Sequence, residues 1–225
     1  FYVSFFHHLD FTEPDGIFYY NAGKEILKGN AENIDLAGSS IAGPVFHAFL
    51  GNILGDGFVA GKIISLLGGT GIVFLSYYIT KNLFDKKVAL VTQLLFAVNA
   101  KIIFLSVMVL NEISPLFFIF ISLYFATKKQ KRTRDFLLVG LFLGISFSFR
   151  YQSIIILLSF LIFLLIFERK KILKFKQSFL TFFSFLLTVS PILVYNFITH
   201  GKLSTSKSNM YILDLFKFQT IEWHS

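Results

Sequence analysis

The chain has no cysteine at all, four prolines and one tryptophan among its 225 residues. Without cysteine there is no disulfide framework, no thiol nucleophile and no thiolate metal site. Charge is scarce as well: 15% of residues are charged, against about a quarter in an ordinary soluble domain. No repeat, low-complexity tract or long flexible linker interrupts the chain. It opens on Phe1, with no charged segment and small-residue cleavage site that would mark a signal peptide, and reads as part of a longer protein.

What is present is apolar. Hydrophobic residues make up 55% of the chain, 31 of them Phe, and the mean hydropathy is +0.69. They gather in blocks that approach the length of about 20 residues needed to cross a bilayer core. Six such blocks run over 58–79, 88–98 with an extension to 110, 113–126, 136–149, 153–167 and 179–198. Lipid offers no hydrogen bonds to the backbone, so these blocks must be helical. The expected fold is all-α: a polytopic integral membrane protein with about six transmembrane helices and one elaborated outer loop. Its layout divides into an extracytoplasmic loop over 1–57, a helical module over 58–199 and an extracytoplasmic tail from 200 to 225.

The cations set the orientation. Of 21 Lys and Arg residues, 13 fall in the three short loops 81–87, 127–135 and 168–176, beside only Asp85, Asp135 and Glu168. The positive-inside rule puts these loops in the cytoplasm. The net charge of +8 is thus a topology signal, and dispersal of the cations between lipid-embedded helices argues against nucleic acid as a partner. Residues 1–57 carry seven acids against Lys24 and Lys28, and belong outside, which requires a span before Phe1. Within that segment, apolar spacing over Ile17–Lys28 predicts an amphipathic helix on the membrane surface, and a second is expected over Ile41–Leu54.

Polar groups that could carry chemistry cluster at outer ends. Asp10, Glu13 and Asp15 lie within six residues of one another beside His7 and His8. A solvated loop turning at Pro14-Asp15-Gly16 accounts for them; so does a general base or a divalent-metal site, since oxygen ligands suit Mg²⁺ and Mn²⁺. Arg150 ends a helix on the side where cations are disfavoured. It reads as a phosphate clamp, a snorkelling cation or a partner of Glu112. Lys101 poses the same choice, and Glu112 is either a second carboxylate in the site or Lys101's partner. Tyr19, Tyr20 and Tyr195 are expected as interfacial aromatics, and Gly140 with Gly144 as ordinary helix packing.

In order along the chain, several short motifs resemble one family. Asp15-Gly16-Ile17-Phe18-Tyr19 is followed by Ala22 or Gly23, Leu27 and Gly29; Asn111-Glu112 opens a span; Gly140 and Gly144 precede Phe149-Arg150-Tyr151; Ser190-Pro191 leads to Tyr195-Asn196 and Gly201. Together they resemble the GT-C glycosyltransferases, integral-membrane enzymes related to protein O-mannosyltransferases and lipid A aminoarabinose transferases. The usual Asp-Glu pair of that family is Asp15-Gly16 here, and its common Pro in the second block is Asn99.

The resemblance implies inverting transfer of a sugar from a polyprenyl or dolichyl phosphate to an acceptor hydroxyl at the extracytoplasmic face. Asp15 would be the catalytic base, Arg150 and Lys101 the donor-phosphate ligands, and Glu112 or Asp10 a second carboxylate. A divalent cation, Mg²⁺ or Mn²⁺, is the candidate cofactor. The partners are a lipid-linked sugar donor, membrane lipid and a protein, lipid or glycan acceptor, and the compartment expected is a prokaryotic plasma membrane rather than the endoplasmic reticulum. A transporter or lipid flippase is the competing reading. It would place charges or broken helices at mid-membrane depth.

Overall fold

The computed structural model describes residues 14–30, 40–167 and 171–200, with 14, 15, 167, 171–174, 199 and 200 described by backbone alone. Among them every regular element is a helix: α1 Pro14–Leu27, α2 Ala42–Leu54, α3 Gly57–Leu83, α4 Lys86–Ala97, α5 Ala100–Val107, α6 Ile113–Thr127, α7 Thr133–Phe149, α8 Ile154–Phe167 and α9 Lys171–His200. A 3₁₀ turn over Tyr151–Ser153 separates α7 from α8.

Local chemistry fixes several of the ends. Asp56 caps α3, accepting the N–H groups of Phe58 (2.7 Å) and Val59 (3.2 Å), and Asp85 caps α4 through Lys87 (2.7 Å) and Val88 (2.9 Å). Gly29 and Gly55 stop α1 and α2 at φ of 87° and 77°, a left-handed conformation open to glycine and strained for other residues. Asn99 starts α5 as a cap for Lys101 and Ile102, so the apolar block over 88–110 becomes two helices bent by 54°. Asn99 thereby breaks the segment without a proline.

Among the described residues two helices are long and apolar enough to cross a membrane, Gly57–Leu83 and Phe175–Ile198, and the bent pair makes a third if it is one span. The blocks 113–126, 136–149 and 153–167 form α6, α7 and α8, of 15, 17 and 14 residues. At 1.5 Å per residue each is shorter than the hydrocarbon core. The outward faces of the bundle are nonetheless apolar: Leu67 and Phe74 of α3, Leu94 and Leu95 of α4, Ile155 of α8 and Leu187 of α9 are all exposed. Continuous exposed surfaces of this kind suit lipid, not water.

The helices α9, α7, α6 and α3 pack side by side, with α4 and α5 against α3 and α8 against α9. The α7–α9 seam is the tightest. Gly140 and Gly144 meet Thr181, Ser184, Phe185 and Thr188 so closely that no side chain fits, which is the expected small-xxx-small packing. The hydroxyls of Thr181 and Ser184 donate to the carbonyls of Phe136 (3.2 Å) and Leu137 (2.7 Å), closing the seam with hydrogen bonds. Val139, Leu143, Leu157, Phe185 and Val189 form the buried core beside it. The two expected loop helices exist, as α1 and α2. They lie against each other with Gly23 on Pro44, and α2 rests on α3 and on the Phe149 end of α7.

Candidate active site

Arg150 is where α7 stops. Its backbone is extended (φ −144°, ψ 122°), and a set of buried polar contacts holds the break. The Ser146 hydroxyl donates to the Pro115 carbonyl at 2.9 Å and shares a 2.7 Å hydrogen bond with the Ser153 hydroxyl across the turn. The Phe149 carbonyl accepts the Asn111 amide at 3.3 Å and the Ser40 N–H at 3.4 Å. Arg150 therefore leaves a backbone tied on both sides, to α6 and to the entry of α2.

From that anchor the guanidinium donates to Glu112 at 3.0 Å, with both side chains about one third exposed (36% and 33%). Of the alternatives for Glu112, the structure brings it to Arg150. No hydrogen bond or ion pair joins Lys101 to either residue among the described ones, and Lys101 is exposed on α5. The second Glu112 oxygen is buried with no partner among the described residues. A half-exposed pair in which one carboxylate oxygen is unmet is poorly committed. Exposed pairs are worth about 0.2–1 kcal/mol.

The segment before Glu112 is the hub. Val109 is buried between α1 and α3: Gly16 lies on its carbonyl and Gly61 on its side chain. Asn111 is buried against Gly43 of α2, where a Cβ would come to 2.5 Å of its amide. The glycine following Asp15 thus has a physical cause. A glutamate at 16, as in the usual Asp-Glu pair, would start its side chain 2.8 Å from the Val109 carbonyl oxygen. This also sets the start of α1, with the backbone of Asp15, beside Val109, three residues before Glu112. Asp10 and Glu13 lie outside the described residues, as do His7 and His8.

Two apolar crevices flank the Phe46–Phe149 ring pair, whose centroids are 6.1 Å apart. One, of about 200 Å³, runs between α3 and α6 along Ile63, Leu67, Phe117 and Phe118. The other, of about 400 Å³, lies between the α1–α2 pair and α9, lined by Leu27, Val45, Phe49 and Ile192. Phe149 borders both, and the next residue is Arg150. On the α9 side, the buried Asn196 donates to the Tyr151 hydroxyl at 3.3 Å, so the Tyr195-Asn196 and Arg150-Tyr151 motifs meet. Tyr195 packs beside Ala22 and Ile41, and the Tyr20 ring covers Gly51 and Gly57, both packing roles.

Hydropathy pointed to neither Phe46 nor His47. His47 is fully buried on α2, with both ring nitrogens unpartnered among the described residues. Its burial pushes its pKa down to about 4. Its signal in the sequence was faint: one of two polar residues in the helix AGPVFHAFLGNIL, the other being Asn52, and on the same face as Gly43 and Gly51. As for a cation, no group of three or more His, Asp or Glu side chains gathers among the described residues. Glu112 offers one unmet oxygen there, and the side chains of Asp10, Glu13 and Asp15 lie outside the described residues.

A family model described as dolichyl-phosphate-mannose-protein mannosyltransferase matches residues 39–195. That is more than two thirds of the chain, and it takes in Lys101, Glu112 and Arg150 but not Asp15. No curated protein and no solved structure matches it.

Proposed function

Because this chain belongs to the dolichyl-phosphate-mannose-protein mannosyltransferase family, we propose that it moves a sugar from a polyprenyl- or dolichyl-phosphate donor to an acceptor hydroxyl at the extracytoplasmic face. The observation that carries this reading is the Arg150–Glu112 pair, one third exposed and next in the chain to Phe149, where two apolar crevices meet. A lipid-linked sugar needs those two environments in contact, an apolar crevice for its tail and a fixed cation for its phosphate.

In this reading the donor's phosphate displaces Glu112 from Arg150, and the planar guanidinium binds two of its oxygens. Lys101 supplies a second cation. The acceptor oxygen attacks the anomeric carbon from the face opposite the phosphate. The new C–O bond forms as the sugar–phosphate bond breaks, so the configuration inverts. Asp15 takes the hydroxyl proton, and the electron pair leaves with the lipid phosphate, whose charge Arg150 stabilises. The released Glu112 carboxylate helps to orient the acceptor; the contact of Gly16 with Val109, three residues before Glu112, supports bringing Asp15 to the same side. No step is assigned to a metal. All six apolar blocks cross the bilayer, the shorter helices by local thinning at their ends.

The test is transfer from a lipid-phosphate-mannose donor by the full-length protein in proteoliposomes. Asp15→Asn should lower transfer about 10²–10⁴-fold while donor binding persists, and Asp10→Asn and Glu13→Gln should be mild. Equal effects at the three positions would show that the acidity of the loop is generic and that Asp15 is not the base.

A further inference from the structure

At the end of the bundle remote from Arg150, a small cavity of about 80 Å³ lies between the loop entering α7 and the early turns of α9. Phe136 and Leu180 give it an apolar side; Lys131, Thr133, Lys176 and Gln177 supply the rest. Its volume equals that of about two or three water molecules, the scale of one tetrahedral oxyanion. Neither lysine has a carboxylate in ion-pair range among the described residues. The acid of α7 is already engaged: Asp135 accepts Lys128 at 2.9 Å with one oxygen and the Arg132 N–H at 2.7 Å with the other. The Gln177 side-chain oxygen is buried without a partner there, and half a turn of the amide would present its N–H groups instead.

Two lysines without an ion-pair partner among the described residues, with Thr133 and Gln177, around a cavity of this size suit an anion. What surrounds it decides the anion. Phe175, Phe179 and Phe183 are exposed along α9 beside the cavity, with Phe179 and Phe183 stacked at 5.9 Å. An acyl chain can lie along that stripe while its headgroup reaches the lysines, and a basic pocket between helices at headgroup depth suits such a ligand. We propose that this cavity binds the phosphate of an anionic membrane lipid. The site goes beyond the transferase reading and does not depend on it. By joining Lys131, ahead of α7, to Lys176, on α9, the headgroup staples the end of the seam closed by Thr181 and Ser184.

The experiment compares thermal unfolding of the full-length protein in nanodiscs of phosphatidylglycerol and of phosphatidylcholine. Phosphatidylglycerol should raise Tm by about 2–4 °C. The rise should vanish in Lys131→Ala/Lys176→Ala and survive in Lys86→Ala/Lys87→Ala, which removes two cations from a different basic loop. Lys131→Arg/Lys176→Arg keeps charge and fold, and should keep the rise. Loss in the 86/87 variant equal to that in the 131/176 variant would mean diffuse surface charge, and would overturn the site. So would loss in the double Arg variant. In detergent without lipid, inorganic phosphate should give no comparable rise; an equal rise abolished by Lys131→Ala/Lys176→Ala would assign the cavity to soluble phosphate and overturn the lipid.

Discussion

Arg150 has two partners to choose between, Glu112 in the free protein and a phosphate in the proposed complex, and substitutions separate them. Arg150→Ala removes a charge-assisted contact worth about 1.5–3 kcal/mol, so donor affinity should fall about 10- to 100-fold. Arg150→Lys keeps the charge without the fork and should fall by less. A lysine variant binding donor as well as the native protein would show that Arg150 only needs to be a long cation. Arg150→Ala also strands a carboxylate whose second oxygen is already buried and unmet. Adding Glu112→Gln should therefore recover melting temperature but not donor binding, a split that isothermal titration and thermal unfolding would read together. His47 offers a pH signature at the same scale. Its folded pKa, about 4, is below the ordinary 6.5, so the unfolded chain binds the proton first. Stability is full above pH 6.5 and is lost as pH falls toward 4, by about 3 kcal/mol in all. His47→Gln should flatten the Tm profile between pH 7 and 4.5.

Among the elements, α2 is the one whose packing reaches furthest into the site. Its Gly43 lies on Asn111, and Asn111 holds the Phe149 carbonyl from which Arg150 departs. Gly43→Ala drives a methyl to 2.5 Å of the Asn111 amide, so α2 must shift away. Overpacking of this kind costs about 1–3 kcal/mol. Asn111→Ala in the same chain makes room for the methyl and should restore part of the melting temperature. Donor binding should stay low in the double variant, since the tether on Phe149 is gone. Recovery of both properties would mean that Asn111 does nothing for Arg150. Helix positions themselves were largely legible beforehand. Blocks of apolar residues and the charged loops between them are local signals, and local signals make helices; the caps Asp56 and Asp85 and the stops at Gly29 and Gly55 came with the structure. Helix length was less so: α6, α7 and α8 came out at 14 to 17 residues because polar loops and the break at Arg150 trim them.

For the molecule as a whole, the charge asymmetry makes a prediction that the lack of cysteine renders easy to check. Single cysteines at Asn30 and at Lys129, both exposed, sit at the acidic and basic ends respectively. A membrane-impermeant maleimide on intact cells should modify the first only. Labelling at 129 would reverse the orientation and move the proposed site to the cytoplasm. The same bundle explains why the short helices can coexist with lipid: α6 and α7 are flanked by other helices, and the exposed apolar surface is borne mainly by α3, α4, α8 and α9.

Sequence alone determined that this is an all-helical membrane protein, roughly where its apolar blocks run, and where its cations lie. Those properties follow from hydropathy and charge, each read within about one span of the residue concerned. It also lined up the family's motifs in order. Which residues meet was a different matter. Glu112 had Lys101 eleven residues away and Arg150 thirty-eight away as candidate partners, and packing of α6 on α7 gave it Arg150. The reason that Gly16 replaces a carboxylate appears only once α1 lies on Val109. The two crevices at Phe149 depend on four or more helices each, and no window of sequence contains them. Contacts between distant segments are set by how whole faces interdigitate, and that is decided when the helices assemble.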